Sequence, residues 1–314
     1  MLLSVTTITA NTTISTTDKT YDGSDLVVDS GATVTFQGTH FFNTLDVIHN
    51  STMSDVDPGN GGAYLLILQS LTVEQGATLQ TDGTLEVEQN VKVDGGTLAT
   101  DTLTAARLDV IHSGVLTGNA MTPSVEHKLD LELAGSVTVD GTSSIDVSGK
   151  GYQAGYTTGN TTSGGATGYS GGSNGVRGGA DQGSTNAAYG DYALQDRLDA
   201  WGSGGASYAG GGFVKINADS MQLDGAVVSG GQGGYFGAGS GGGILLEING
   251  TLTGTWTISA PGGGSNFGGG EAVGWRSMRP TSARSTPATS PLWEAVARHP
   301  AVLELSTSGT RTWH

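Results

Sequence analysis

Residues 45–49 read Leu-Asp-Val-Ile-His, and residues 108–112 read Leu-Asp-Val-Ile-His again. In both, apolar and polar side chains alternate, which is the period of a strand with one buried face, and Asn50 or Ser113 then breaks the run. Related segments begin at Leu26 (LVVDSGATV), Leu65 (LLILQSLTV), Leu85 (LEVEQNVKV) and Leu131 (LELAGSVTV), so the six starts are spaced 19, 20, 20, 23 and 23 residues apart. A repeat near twenty residues is too short to bury its own apolar face, and it gains stability by stacking on its neighbours. At about 3.3 Å per strand residue it holds one coil of two or three short strands. The expected fold is therefore all-β, a parallel β-solenoid (β-helix) with rungs of about 20 residues and Gly-rich loop insertions. Leu, Val and Ile should ladder inside, Thr, Asp, Glu and Gln outside, over a rod on the order of 30 Å long at about 4.8 Å per rung.

The chain carries 54 Gly among 314 residues, no Cys, and 13 Lys+Arg against 29 Asp+Glu, for a net charge of −16. Glycine is well above the usual share of about 7%, and charged residues, at 13%, well below the usual share of about 25%. So acidic a surface repels phosphates, and nucleic acid is not an expected partner. The lack of cysteine excludes a disulfide scaffold and a Cys-ligated metal site. No apolar run approaches the roughly 20 residues of a membrane helix. Met1-Leu-Leu-Ser-Val has no basic start and too short an apolar run for a signal peptide, so a mature form or a segment of a longer exported chain is expected.

Glycine divides the chain into three zones, with 15 in residues 1–150, 37 in 151–270 and 2 in 271–314. The first is the regular solenoid. The second keeps rung-like stretches at Phe213–Val227 and Ile244–Ala260, separated by Gly clusters. Aromatics at Tyr152, Tyr156, Tyr169, Tyr189, Tyr192, Trp201, Tyr208, Tyr235 and Phe267 mark these clusters as corners and packed loops rather than Gly/Ser linkers.

The order of strand rungs, then Ile145-Asp-Val-Ser-Gly-Lys-Gly-Tyr, a Gly-rich loop, Trp201-Gly-Ser-Gly-Gly-Ala and Gly241-Gly-Gly-Ile-Leu-Leu-Glu-Ile resembles the glycine-rich parallel β-helical regions of large bacterial secreted and cell-surface adhesin-like proteins. The resemblance spans about residues 5–270 and rests on composition more than on fixed motifs. It implies an exported, non-enzymatic surface or matrix protein, located outside the cell or on its surface.

Residues 271–314 hold 5 of the 8 Arg, 4 of the 7 Pro and 3 of the 5 Trp, with no Lys, Asp, Asn, Gln, Ile, Phe or Tyr. That is the composition expected of a Gly/Ala-rich gene read out of frame beyond Gly270. Trp275, Trp293 and Trp313 are accordingly not taken as a binding surface. A small helical cap at Leu292–Arg298 is the other reading.

Parallel β-helices also host polysaccharide lyases and glycoside hydrolases, so carboxylates were sought in pairs about 5–10 Å apart. Asp46, Glu86, Asp109 and Glu132 each stand second in their unit and are expected to form one outward acidic ladder, a pattern that keeps a sheet face soluble more readily than it builds a singular active site. His49 and His112, fifth in their units and three rungs apart, are too distant to share an ion and are expected at solvent-facing turns. Asp55-Val-Asp-Pro-Gly-Asn-Gly has the alternating oxygens of a calcium loop at Asp55, Asp57 and Asn60, but no terminal Glu, so an ordinary turn is expected. No nucleotide fingerprint opens a helix, and no T-x-T array recurs at one rung position that would suit ice or a crystalline glycan. The expectation is a structural or adhesive segment with no catalytic residues, cofactor or metal. Any glycan or other surface component would meet the loops of residues 151–212. The alternative is a β-helical polysaccharide-degrading enzyme.

Overall fold

Strand alternation is read out directly in the computed structural model, which describes residues 5–55, 63–189 and 200–270 together with the backbone of 276–278. One sheet takes, in spatial order, β1 (Val5–Ile8), β3 (Asp25–Val28), β5 (Thr39–Val47), β7 (Tyr64–Glu74), β9 (Thr84–Asp94), β11 (Thr102–Ile111), β13 (Leu129–Val139), β15 (Phe213–Leu223), β18 (Gly243–Ile248) and β22 (Arg276–Met278). A short strand, β19 (Leu252–Thr253), also pairs with β15. The second sheet takes β2 (Thr12–Ile14), β4 (Thr33–Phe36), β6 (Thr52–Asp55), β8 (Thr78–Gln80), β10 (Thr97–Ala99), β12 (Val115–Thr117), β14 (Ser144–Asp146), β16 (Ala226–Val228) and β20 (Thr257–Ser259). A third, two-stranded sheet pairs β17 (Gly234–Phe236) with β21 (Ser265–Phe267). Every strand pair is parallel, and no helix occurs among the described residues.

The chain alternates between the first two sheets, and each visit adds one strand beside the strand of the previous visit. Residues stacked in this way form rows. Leu65, Leu85, Leu103, Leu131, Ile216 and Leu246 share one row of the first sheet. Val34, Met53, Leu79, Leu98, Leu116, Ile145, Val227 and Ile258 share one row of the second. Both rows are buried and belong to one continuous core between the sheets. Like stacks on like because each strand presents the same side every second residue.

The register corrects the alignment read from the sequence. Leu45 stands beside Leu71, not Leu65, and Leu108 stands beside Val91, not Leu85. The cause is that each long strand has two apolar halves joined by a register shift, as between Phe42 and Thr44 of β5 and between Ala105 and Leu108 of β11. Both halves read as apolar alternation, so the six segments mix first halves (Leu65, Leu85, Leu131) with second halves (Leu26, Leu45, Leu108). At the first shift Asn43 is buried and accepts a 2.9 Å bond at Oδ1 from Gln69 Nε2, which satisfies a polar group inside the irregularity.

The Gly-rich segments are built from backbone. Gly202 N donates to Gly211 O at 2.8 Å, Gly211 N to Ser240 O at 2.8 Å, and Gly263 N to Gly239 O at 2.9 Å, linking three separate stretches. These chains approach so closely that a Cβ on Gly242 would lie 1.9 Å from Gly212 O. Glycine is required here by the approach of one backbone to another. Between the loops sits a buried polar centre in which Asn186 Oδ1 accepts from Ser173 N at 2.7 Å, while Asn186 Nδ2 donates to Ser173 O and Ser203 Oγ, each at 2.9 Å. Of the atypical tail, β22 continues the first sheet beside β18, and the remainder of residues 271–314 lies outside the described residues.

Candidate functional site

The four acids expected on one ladder fall into two rows. Glu86 and Glu132 share a row with Leu66, Thr104, Asn217 and Glu247. Asp46 and Asp109 lie in a different row with Val27, Thr72, Lys92, Thr138 and Gln222. Asp109 is held by its own strand, where Arg107 donates from Nε and Nη2, each at 2.9 Å.

The first row converges on a lysine that sequence reading passed over. Lys215 Nζ is 2.6 Å from Glu132 Oε1, 3.5 Å from Glu247 Oε2 and 3.9 Å from Asp130 Oδ1, while Asn217 Nδ2 donates to Glu132 Oε2 at 2.7 Å. Partial burial works against the ammonium charge, but the hydrogen bond to Glu132 and the three carboxylates outweigh it and hold the Lys215 pKa above its ordinary value. The arrangement is an ion knot between β13, β15 and β18 in which Lys215 meets three carboxylates, and Asp130 also pairs with Lys128 at 2.8 Å. Its signal in the sequence was weak because β13 and β15 are separated by more than seventy residues, most of them in the Gly-rich insertion.

Histidine shows a regularity of its own. Each of the four described histidines places Nδ1 against an aspartate met earlier in the chain: His40 with Asp22 at 3.0 Å, His49 with Asp29 at 2.7 Å, His112 with Asp94 at 2.6 Å and His127 with Asp101 at 2.5 Å. His49 and His112 are exposed and adopt φ of 49° and 55°, followed by Asn50 at 61° and Ser113 at 68°. The shared Leu-Asp-Val-Ile-His is thus a strand running into a left-handed corner, a conformation in which His and Asn are enriched. Among the described residues no group of three or more His, Asp or Glu is placed to hold a metal ion.

His127, like His40, is buried. Asp101 bonded to Nδ1 raises its pKa and burial opposes, with the Asp101 and Asp82 charges adding to the rise. A folded-state pKa above the unfolded value of about 6.5 stabilises the protein fully below that value and loses the contribution as pH climbs through the folded one. His127→Gln should therefore lower Tm more at pH 5.5 than at pH 8.5. Equal losses at both pH values would show that the pair acts by packing alone.

The calcium-loop-like stretch, expected to be an ordinary turn, splits across the boundary of what is described. Asp55 Oδ2 accepts from Ala63 N at 2.7 Å, whereas Asp57 and Asn60 lie outside the described residues. A threonine row is present that the unit alignment concealed: Thr33, Thr52, Thr78 and Thr97 stack on the outer side of the second sheet. The companion row two residues on runs Thr35, Ser54, Gln80 and Ala99, so a T-x-T array is not continued.

Two aromatic clusters occupy the Gly-rich loops. In one, Trp201 packs between Tyr152 and Phe213 with ring centroids 6.2 and 6.0 Å away. Its polar atoms are engaged, Trp201 Nε1 donating to His127 O at 2.7 Å, and burial of the Tyr152 hydroxyl pushes its pKa up to about 12. The other is formed by Tyr169, Tyr235, Phe236 and Phe267, and it stands open: Tyr235 is 56% and Phe267 39% exposed. Comparison with known proteins finds no family model, no curated protein and no solved structure that matches this chain.

Proposed function

We propose that the chain is a parallel β-solenoid with rungs that begin near 20 residues and lengthen where Gly-rich loops are inserted. We further propose that it serves as a non-enzymatic structural or adhesive segment of an exported bacterial surface or matrix protein. The observation that carries this reading is the strand order of the two main sheets, in which strands from successive visits of the chain lie side by side and pair in parallel. In such a scaffold each rung packs on its neighbours and loops recur at a fixed spacing, which is what reach and display require. Among the described residues no helix is long and apolar enough to cross a membrane.

One observation favours the second reading, a polysaccharide-degrading enzyme, namely the convergence of Asp130, Glu132 and Glu247 on Lys215. A general acid or nucleophile must be free to exchange protons or bonds with a substrate, and here Glu132 is held at both oxygens by Lys215 and Asn217. Incubation of the purified chain with neutral and acidic polysaccharides should release no new reducing ends and no unsaturated products. Turnover that disappears in Glu132→Gln would establish the enzyme instead.

A further inference from the structure

Among the described residues, two of the five exposed large hydrophobic side chains, Tyr235 and Phe267, lie together in one aromatic cluster. Phe236 and Phe267 occupy matched positions of β17 and β21, their rings stacked at 5.8 Å and 25°, and Tyr169 stacks on Phe236 at 4.2 Å and 21°. Tyr235 closes edge-on against Phe236 at 4.5 Å and 86°. The backbone beneath is fixed by Gly237 N donating to Phe267 O at 2.9 Å, Gly234 N to Gly264 O at 3.0 Å and Tyr169 N to Asp181 O at 2.9 Å. Tyr208 lies against the same sheet, since a Cβ on Gly234 would meet its ring at 2.1 Å.

A cluster that served only to pin the loops would bury its rings, as the Trp201 cluster does at Tyr152 and Phe213. This one leaves Tyr235 and Phe267 exposed on a preformed base. We infer that Tyr235 and Phe267, backed by Phe236 and Tyr169, form a stacking platform for the pyranose rings of a neutral glycan. The ring face of a pyranose presents polarised C–H groups that complement the negative face of an aromatic ring, and its hydroxyls can use the Tyr235 hydroxyl and the exposed Asn266 at the rim. Charge decides the class of glycan. The rings forming the platform carry no cation, and a chain of net charge −16 disfavours an anionic polymer. The rings are held before binding, so little ordering entropy opposes capture. The inference rests on the adhesive reading, and it shifts the binding surface from the loops of 151–212 toward β17 and β21.

The test is affinity gel electrophoresis and calorimetry of the full chain against soluble neutral β-glucans and mannans, with alginate and polygalacturonate as acidic counterparts. Wild type should bind at least one neutral polymer, Tyr235→Ala with Phe267→Ala should weaken binding about tenfold or more, and Tyr235→Phe should retain most of it. Circular dichroism and Tm of each variant establish that the fold persists. Should wild type bind a neutral glycan and the double variant bind it equally, the platform is wrong while the adhesive reading stands. Binding to no neutral polymer, or to acidic polymers only, overturns the platform. Sedimentation that shows wild-type oligomers dissolved by the double variant overturns it in favour of self-association.

Discussion

Gly242→Ala should lower the stability of this protein by about 3 kcal/mol or more, a fall in Tm on the order of 10 °C, whereas Gly264→Ala should leave it within about 0.5 kcal/mol of wild type. The two substitutions add the same methyl group. At Gly242 the new carbon would stand 1.9 Å from Gly212 O and 2.4 Å from Gly211 O, both backbone atoms that cannot rotate away, while Gly264 has nothing within 4 Å. To accept the methyl, the loops must separate, and separation breaks the bonds from Gly242 N to Ser229 O at 2.8 Å and from Gly243 N to Gly212 O at 3.1 Å. Thermal unfolding followed by circular dichroism measures both. Equal tolerance at the two positions would mean that the loops are not packed backbone to backbone.

Asn186→Ala should be the second severe change, costing about 3 kcal/mol in urea unfolding. The amide is buried and replaces strand pairing as the tie between loops: besides Ser173 and Ser203, it donates to Ala187 O at 2.9 Å. Truncation leaves the Ser173 N–H and carbonyl without partners in a site closed to solvent. Ser203 belongs to the same network, since its Oγ donates to the Tyr189 hydroxyl at 2.9 Å and lies 3.0 Å from Thr157 Oγ1. The double variant with Ser203→Ala should therefore cost clearly less than the sum of the single changes. Strict additivity would indicate two independent contacts in place of one network.

Strand alternation made the parallel all-β character legible, because residues such as Leu85, Val87, Val91 and Val93 all prove buried on one side of β9. Register was not legible. A pattern of period two looks the same on either side of a bulge, so Leu45 and Leu65 align by eye although they sit in different halves of their strands. The same limit hid the threonine row, which becomes visible only when the second sheet is aligned by its own strands. The acids Glu86 and Glu132 were placed on one row correctly, but Asp46 and Asp109 were joined to them through the mistaken unit alignment. The Lys215 knot was beyond sequence reading for a different reason, as its partners come from β13, β15 and β18 across the long Gly-rich insertion. Aromatic positions in that insertion were readable, whereas which rings would be buried depends on backbone bonds that carry no side-chain signature.

The stacking register is the claim on which the rows, the site assignments and the display reading all depend, and the absence of cysteine allows a direct test by paired thiols. Asp46 and Thr72 are neighbours across β5 and β7, whereas the twenty-residue alignment would place Asp46 beside Leu66. Leu66 pairs with Phe41, five residues and roughly 16 Å along the strand from Asp46. The chain with Asp46→Cys and Thr72→Cys should cross-link rapidly and completely with a short thiol-bridging reagent, and the chain with Asp46→Cys and Leu66→Cys should not. Efficient cross-linking of the second pair and none of the first would contradict the structure described here.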